Sequence, residues 1–397
     1  MTTSPHWPGK DHVFGMSIFE PWPELLSDRC RSLIDTASTM TDFDVQTISK
    51  LRKLGSPDQV RLAIDLVTAR RKADCKFPNA DRLAVLPEPV EQATSQTVAD
   101  YKSKRFGELD PDHILDLCCG IGGDAMSLAK VAPLTLIDLD PIRVWMARHN
   151  TNKPMCNAVV ADVTKLNLKD CVYHIDPSRR AGGRRIMRYE DYLPGPAFLE
   201  ELVRVSRAGA IKLGPGVDRD DLPPGEVEFI NERGTLVQAV LWTGELARHQ
   251  ITATKLPDNV SYSGSVHQPP VVSPDRFLLA VDPAIERARL IGSLCHDLNI
   301  GMIHRDLGLL TSDHPVVNPW LTPFELIAVM PWRMQKVKTW LREHDAGIVE
   351  VKTRGKAVNP DKVQKQLRSK GDTTYTVFVL RHDQQIRAWI TKRCSVT

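Results

Sequence analysis

HILDLCCGIGGDAMSLA, residues 113 to 129, reads as an apolar strand, a glycine-rich turn and the opening turns of a helix. Small residues between a strand and a helix let backbone amides approach a ligand closely, as sites for nucleotide-like cofactors require. Spacing narrows the choice of ligand. A triphosphate loop ends in Gly-Lys-Ser or Gly-Lys-Thr, and a dinucleotide fingerprint is G-x-G-x-x-G. This turn is G-x-G-G, with Asp116 four residues ahead of Gly120. A carboxylate at the strand end repels a pyrophosphate and suits a ligand that carries an ammonium group.

Further along, LTLIDLDP (134–141) puts Asp138 at the end of a second strand, where α/β nucleoside sites place an acceptor for ribose hydroxyls. VVADV (159–163) puts Asp162 and Val163 after a third. A glycine turn followed by acids after strands two and three points to S-adenosyl-L-methionine as the ligand. From His113 to about Trp242, HILDLC, LTLID, NAVVA, CVYHID and GAIKLG alternate with helical stretches, and VEFIN and TLVQAVLW flank NERG as a closing hairpin. This order predicts an α/β, doubly wound, mostly parallel sheet with helices on both faces.

Residues 17 to 75 carry helical periodicity instead, with Leu51, Val60, Leu62, Ala63 and Leu66 at helix-like spacing and a helix start at Ser56-Pro57-Asp58. A further helix is predicted from about Pro89 to Arg105. Turn formers and prolines crowd 251 to 275, which reads as a linker, and a short helical stretch follows at 283 to 300. The last 67 residues read as a small α/β unit. The expected division is a helical N-terminal region over 1–86, a cofactor-binding domain over 87–250, a linker and helical connection over 251–330, and a C-terminal domain over 331–397.

Charge separates the tail from the body. The chain of 397 residues carries +3 overall, but 15 Lys and Arg face 6 Asp and Glu from Pro331 onward, which leaves the rest slightly acidic and suggests a polyanionic partner. With 42% hydrophobic residues and no apolar run long enough to cross a bilayer, the composition is that of a soluble cytoplasmic protein without a membrane partner. Its 8 cysteines are scattered, with no C-x-x-C pair and no Cys/His cluster at zinc spacing, so reduced thiols and no metal site are expected.

DLCCGIGGDA, LIDLDP, ADV and IDPSRR resemble the successive motifs of class I S-adenosylmethionine-dependent methyltransferases across residues 87 to 245. Together EQAT (91–94), IDPSRRAGGRR (175–185), KLGPG (212–216) and VEVKTRGKAVNPDKVQKQLRSKGD (349–372) are similar to bacterial methyltransferases with a C-terminal THUMP-like domain. Cys118 stands where the usual D-x-G-x-G-x-G has its first glycine, and in this the turn also resembles the cap guanine N2-methyltransferases. The resemblance implies that Asp116, Cys118, Cys119 and the turn Gly120, Gly122 and Gly123 hold the methionine portion of the cofactor, Asp138 the ribose, and Asp162 with Val163 the adenine edge.

Methyl transfer from a sulfonium needs an aligned nucleophile, and a base only if that nucleophile must lose a proton. In the family the segment after the fourth strand faces the reacting methyl. Here it is Asp176-Pro-Ser-Arg179-Arg180, not an N-P-P-Y loop. Asp176 is then a candidate base or orienting group, or a carboxylate fixed by Arg179 or Arg180. Lys212, after the fifth strand, contacts substrate or snorkels at the strand end. Cys118 and Cys119 lie in the cofactor turn, away from where a covalent nucleophile would be needed. Arg184, Arg185 and Arg188 belong to an arginine-rich loop suited to phosphate, and Lys352 and Arg354, with Lys356, Lys362, Lys365, Arg368 and Lys370, suit a phosphate backbone. The expected activity is S-adenosylmethionine-dependent methylation of structured RNA, tRNA or rRNA. Methylation of a protein or a phosphorylated small molecule, and a catalytically silent RNA-binding scaffold, are the alternatives.

Overall fold

The computed structural model of the protein describes residues 21–178, 180–181, 184–185, 188–304, 307–354, 357–382 and 385–394. It divides into two compact units, one of residues 1–225 with 241–247 and one of residues 226–240 with 248–397. Among the described residues no helix is long and apolar enough to cross a membrane.

The first unit begins with helices α1 (Pro21–Leu25), α2 (Arg31–Thr39), α3 (Val45–Leu51) and α4 (Pro57–Ala73). Ser56 starts α4 with a reciprocal capping box: its hydroxyl accepts the Gln59 N–H while the Gln59 side chain accepts the Ser56 N–H. Leu51, Val60, Leu62, Ala63 and Leu66 are buried together, in a core that also takes in Ile121 of the glycine turn. The helical layer therefore supports that turn. Where one helix was expected from Pro89 to Arg105 there are two, α5 (Pro87–Gln92) and α6 (Gln96–Leu109). The break follows from Ser95, whose extended backbone and hydroxyl, accepting the Val98 N–H, start a new helix.

Strands β1 (Ile114–Leu117), β2 (Leu134–Asp138), β3 (Cys156–Val160) and β4 (Val172–Ile175) follow, then a short antiparallel pair, β5 (Arg180–Ala181) and β6 (Arg184–Arg185), and β7 (Ala208–Leu213). The long strands are parallel, in the order β3-β2-β1-β4-β7. Helices α7 (Ala125–Leu128), α8 (Pro141–Thr151) and α9 (Pro196–Val205) lie between them in sequence. The chain winds one way through β1, β2 and β3 and then restarts at β4, so the crevice at the carboxyl ends of β1 and β4 is where a ligand belongs.

The second unit contains β8 (Glu226–Glu232), the first part of β9 (Thr235–Gly244), β10 (Ile251–Leu256) and β11 (Val260–Ser263). Residues 251 to 263 are thus sheet and not linker: β10 pairs parallel with β8, and the LPDN turn formers close a tight connection to antiparallel β11, with Asn259 at φ 53. Seven further strands form a sheet ordered β13-β14-β12-β15-β18-β17-β16. These are β12 (Phe277–Val281), β13 (Gly301–Met302), β14 (Leu309–Ser312), β15 (Leu321–Pro331), β16 (Ala346–Thr353), β17 (Thr373–His382) and β18 (Gln385–Arg393), with α10 (Pro283–Arg287), α11 (Ile291–Leu298), α12 (Met334–Glu343) and α13 (Pro360–Leu367) between them.

Candidate active site

The carboxyl ends of β1 and β4 open into a cavity of about 600 Å³. Its lining includes Asp116, Cys118, Cys119, Gly120, Gly123 and Asp138, together with Asp162, Val163 and Asp176. Nine of the residues read from the sequence as cofactor or catalytic candidates are therefore brought together. The glycine turn has the shape its residues require. Gly120 (φ 53) and Gly122 (φ 81) are left-handed, and so is Cys118 (φ 56), which takes the backbone conformation of the glycine it stands in for. Gly122 lies behind the cavity, where a Cβ would come within 3.0 Å of the Ala147 Cα on α8. Asp138 ties turn to sheet: Oδ2 accepts the Gly120 N–H at 3.0 Å and Oδ1 the Asp140 N–H at 3.1 Å. Burial pushes the Asp138 carboxyl above its ordinary value despite these two bonds. Asp162 accepts the Thr164 N–H and hydroxyl and so starts a short turn that seats the buried Val163.

Beneath the turn lies a buried polar network not anticipated from the sequence. Asp116 and His174 are register partners on β1 and β4. The His174 Nδ1–H donates to Asp116 Oδ1 at 2.7 Å, and His174 Nε2 faces Lys102 Nζ of α6 at 3.2 Å. Because an ammonium only donates, Nε2 accepts there and the imidazole proton sits on Nδ1. Lys102 also pairs with Asp124 Oδ1 at 2.6 Å, and the Thr94 hydroxyl donates to Asp124 Oδ2 at 2.7 Å. Burial opposes ionisation of Asp124, yet the adjacent Lys102 ammonium holds its carboxyl well below the usual range. Asp116 stays above that range, because its burial outweighs the His174 contact. It is 1% exposed, and its Oδ2 has no hydrogen-bond partner although the residue lines the cavity. That lone acceptor fits a donor brought by a ligand, as the ammonium of S-adenosylmethionine would be.

Among the described residues Asp176 is held by Lys212; Arg179 and the side chain of Arg180, the partners expected for it, lie outside them. Lys212 Nζ donates to Asp176 Oδ2 at 2.6 Å and to the Gln92 carbonyl at 3.0 Å. Lys212 is 3% exposed, so it is a buried clamp and not a snorkelling side chain. The clamp joins β7, the segment after β4 and the end of α5. Burial pushes the thiols of Cys118 and Cys119 upward, which keeps them protonated and poor nucleophiles. Arg188 is exposed and pairs with Glu190 at 3.0 Å. Arg179 and Lys356 lie outside the described residues, as do the side chains of Arg180, Arg184 and Arg185. Lys352 and Arg354 line a cavity of the second unit.

The sequence held faint signals for what was missed. Lys102 is a charge at helical spacing from the apolar Val98, Ala99 and Phe106, and Asp124 follows the G-x-G-G turn directly. A single histidine inside a strand, by contrast, looks the same whether it is core or site.

Residues 321–393 match the THUMP domain-like family. The chain is 29% identical over 344 residues to an uncharacterized S-adenosylmethionine-dependent methyltransferase of Mycobacterium tuberculosis, which spans 82% of this chain and 93% of the relative. The chain is homologous to S-adenosylmethionine-dependent methyltransferases. A shorter stretch of 67 residues, 17% of this chain and 25% of the relative, is 36% identical to the trimethylguanosine synthase of Schizosaccharomyces pombe. A Porphyromonas gingivalis W83 protein assigned to the methyltransferases, of known crystal structure, shares the fold with a TM-score of 0.72 at 16% identity, over 92% of this chain and 98% of its own. The class I methyltransferase architecture expected from the glycine turn is thus that of the chain.

Proposed function

We propose that this protein transfers a methyl group from S-adenosylmethionine to structured RNA, tRNA or rRNA, in the cytoplasm. One observation carries the reading: a buried carboxylate oxygen, Asp116 Oδ2, without a partner in the lining of the cavity at the switch point of a doubly wound sheet. When bound, S-adenosylmethionine supplies an electrophilic methyl on sulfur. Asp116 Oδ2 would accept from the methionine ammonium, while His174, Lys102 and Asp124 keep the carboxylate in place. Gly120 and Gly123 would leave room for the methionine portion against the backbone, Asp138 would hold the ribose hydroxyls, and Asp162 with Val163 would border the adenine. Asp176 Oδ2 is occupied by Lys212, and Oδ1 has no partner among the described residues. Oδ1 is therefore the atom that orients a nucleophilic N–H or O–H and accepts its proton.

RNA as the acceptor is supported by the THUMP domain-like match, the basic C-terminal residues and the local similarity to a trimethylguanosine synthase. The decisive test incubates purified protein and radiolabelled S-adenosylmethionine with extract from cells that lack the protein, then separates RNA, protein and small molecules. Label in RNA that ribonuclease removes supports the proposal. Label confined to another fraction reassigns the substrate, and cofactor binding without transfer to any fraction overturns the catalytic reading.

A further inference from the structure

The second unit contains a cavity of its own, about 640 Å³, a volume suited to a small organic ligand. Arg233, Lys255, Lys352, Arg354 and Arg393 line it, against the carboxylates of Asp258 and Asp282. Much of this charge is already matched. Asp258 pairs with Lys255 at 3.6 Å, Glu350 with Lys352 at 2.8 Å, and Glu286 with Arg354 at 3.0 Å. Asp282 caps α10 through the Ala284 N–H and accepts the Asn231 amide at 2.7 Å. Arg233 and Arg393 remain, with no ion-pair partner among the described residues. Leu309, Trp320 and Phe378, each 3% exposed, supply apolar wall.

Arg233 is held there in a conformation that its residue type disfavours. It is the first residue of the two-residue turn between β8 and β9, with φ 51, and Gly234 follows at φ 84. Such a turn prefers Asn, Asp or Gly at both positions. The Arg233 N–H donates to the Leu256 carbonyl at 2.9 Å, which fixes the turn at the cavity. Arginine is more strained there than asparagine would be, and it is a residue of the cavity lining.

We propose that this cavity binds the phosphate of a nucleotide unit. The guanidinium groups of Arg233 and Arg393 take the anionic oxygens, and the apolar wall takes the attached sugar and base. The unit comes from an RNA strand or a free nucleotide. None of these residues belongs to the cavity around Asp116, so the proposal stands without the methyl-transfer reading.

The test uses the full chain and a fluorescein-labelled single-stranded oligoribonucleotide, followed by fluorescence anisotropy over a salt series, with AMP and inorganic phosphate as competitors. Arg233→Asn keeps a residue that accepts the left-handed turn, and Arg393→Gln keeps length and polarity, so both variants should melt as wild type does. The double variant should bind about tenfold more weakly, and its salt slope should fall by about 0.7, the value for one lost single-strand phosphate contact. Displacement of the oligonucleotide by AMP or phosphate, absent in the double variant, identifies a free nucleotide or phosphate as sufficient. Binding of the oligonucleotide alone, weakened in the double variant, identifies the RNA strand. Wild-type affinity and slope in the double variant, or no binding of any probe by the wild type, overturns the proposal.

Discussion

Gly120 and Gly122 share a backbone conformation but differ in what stands in front of them, and their alanine variants should separate folding from binding. A Cβ at Gly122 meets the backbone of Ala147, on a φ of 81. Gly122→Ala should therefore destabilise the protein by about 2–3 kcal/mol, read by urea denaturation. A Cβ at Gly120 meets nothing within 4 Å, so Gly120→Ala should cost only about 1 kcal/mol for the left-handed turn. It places a methyl in the cavity lining, however, and should weaken S-adenosylmethionine binding in calorimetry more than it weakens the fold. Asp124 makes the second prediction at this scale. Its carboxyl is held below the ordinary 3.8 by Lys102 against the cost of burial, so its stabilisation is fully present above that pH and is lost as pH falls below it. Asp124→Asn leaves Lys102 buried and unpaired, and should cost about 3–5 kcal/mol at pH 7. The gap to wild type should narrow as denaturation curves are taken from pH 5 toward pH 3; a constant gap would show that the pair is not ionic. The glycine pattern and the three acids were legible because spacing is itself the signal. His174 and Lys102 were not, since only the register of β1 and β4 and the approach of α6 bring them to Asp116.

Elements connect these residues through one interruption. The segment between α5 and α6 supplies the Gln92 carbonyl to Lys212 and the Thr94 hydroxyl to Asp124. Helical periodicity runs through this stretch, which is why a continuous helix was the natural reading. The break is specified by Ser95 capping α6, and its purpose is visible only once β7 and the glycine turn lie against it. The same limit produced the linker reading of 251–275. Turn formers mark where a chain reverses, but whether the flanking residues pair is decided by a partner such as β8, distant in sequence. The clamp yields a prediction at this scale. Lys212→Met removes the group that fixes both Asp176 and the end of α5, while the Asp116–His174 pair and the Asp138 bond to the turn are left intact. Cofactor affinity should stay within about threefold of wild type, while kcat should fall by about 100-fold, the order associated with a displaced acid–base group. Equal losses in affinity and kcat would mean that Lys212 supports the cofactor side of the site instead.

At the scale of the whole molecule the two units are interleaved in sequence, since residues 241–247 belong with the first unit although 226–240 belong with the second. Strand β9 therefore passes from one unit into the other, a feature that no local pattern signals. The returning segment completes the first unit's core. Trp242 is fully buried beside Phe106, at a ring separation of 5.8 Å, and beneath the Arg105 guanidinium at 4.4 Å. Thr243 hydrogen-bonds the buried Tyr173 hydroxyl at 3.0 Å, and Arg105 donates to the Leu246 carbonyl. Without this segment Phe106 loses its aromatic neighbour, and Arg105 and Tyr173 lose hydrogen-bond partners inside the fold. Trp242→Ala in the full chain should accordingly lower stability by about 3–5 kcal/mol. A fragment of residues 1–225, which contains every residue lining the Asp116 cavity, should lack a cooperative urea transition and fail to bind S-adenosylmethionine. Cooperative unfolding with intact cofactor binding in that fragment would show that the first unit folds without residues 241–247. The expected failure would make the returning strand, far from the glycine turn in sequence, a condition for forming the site at all.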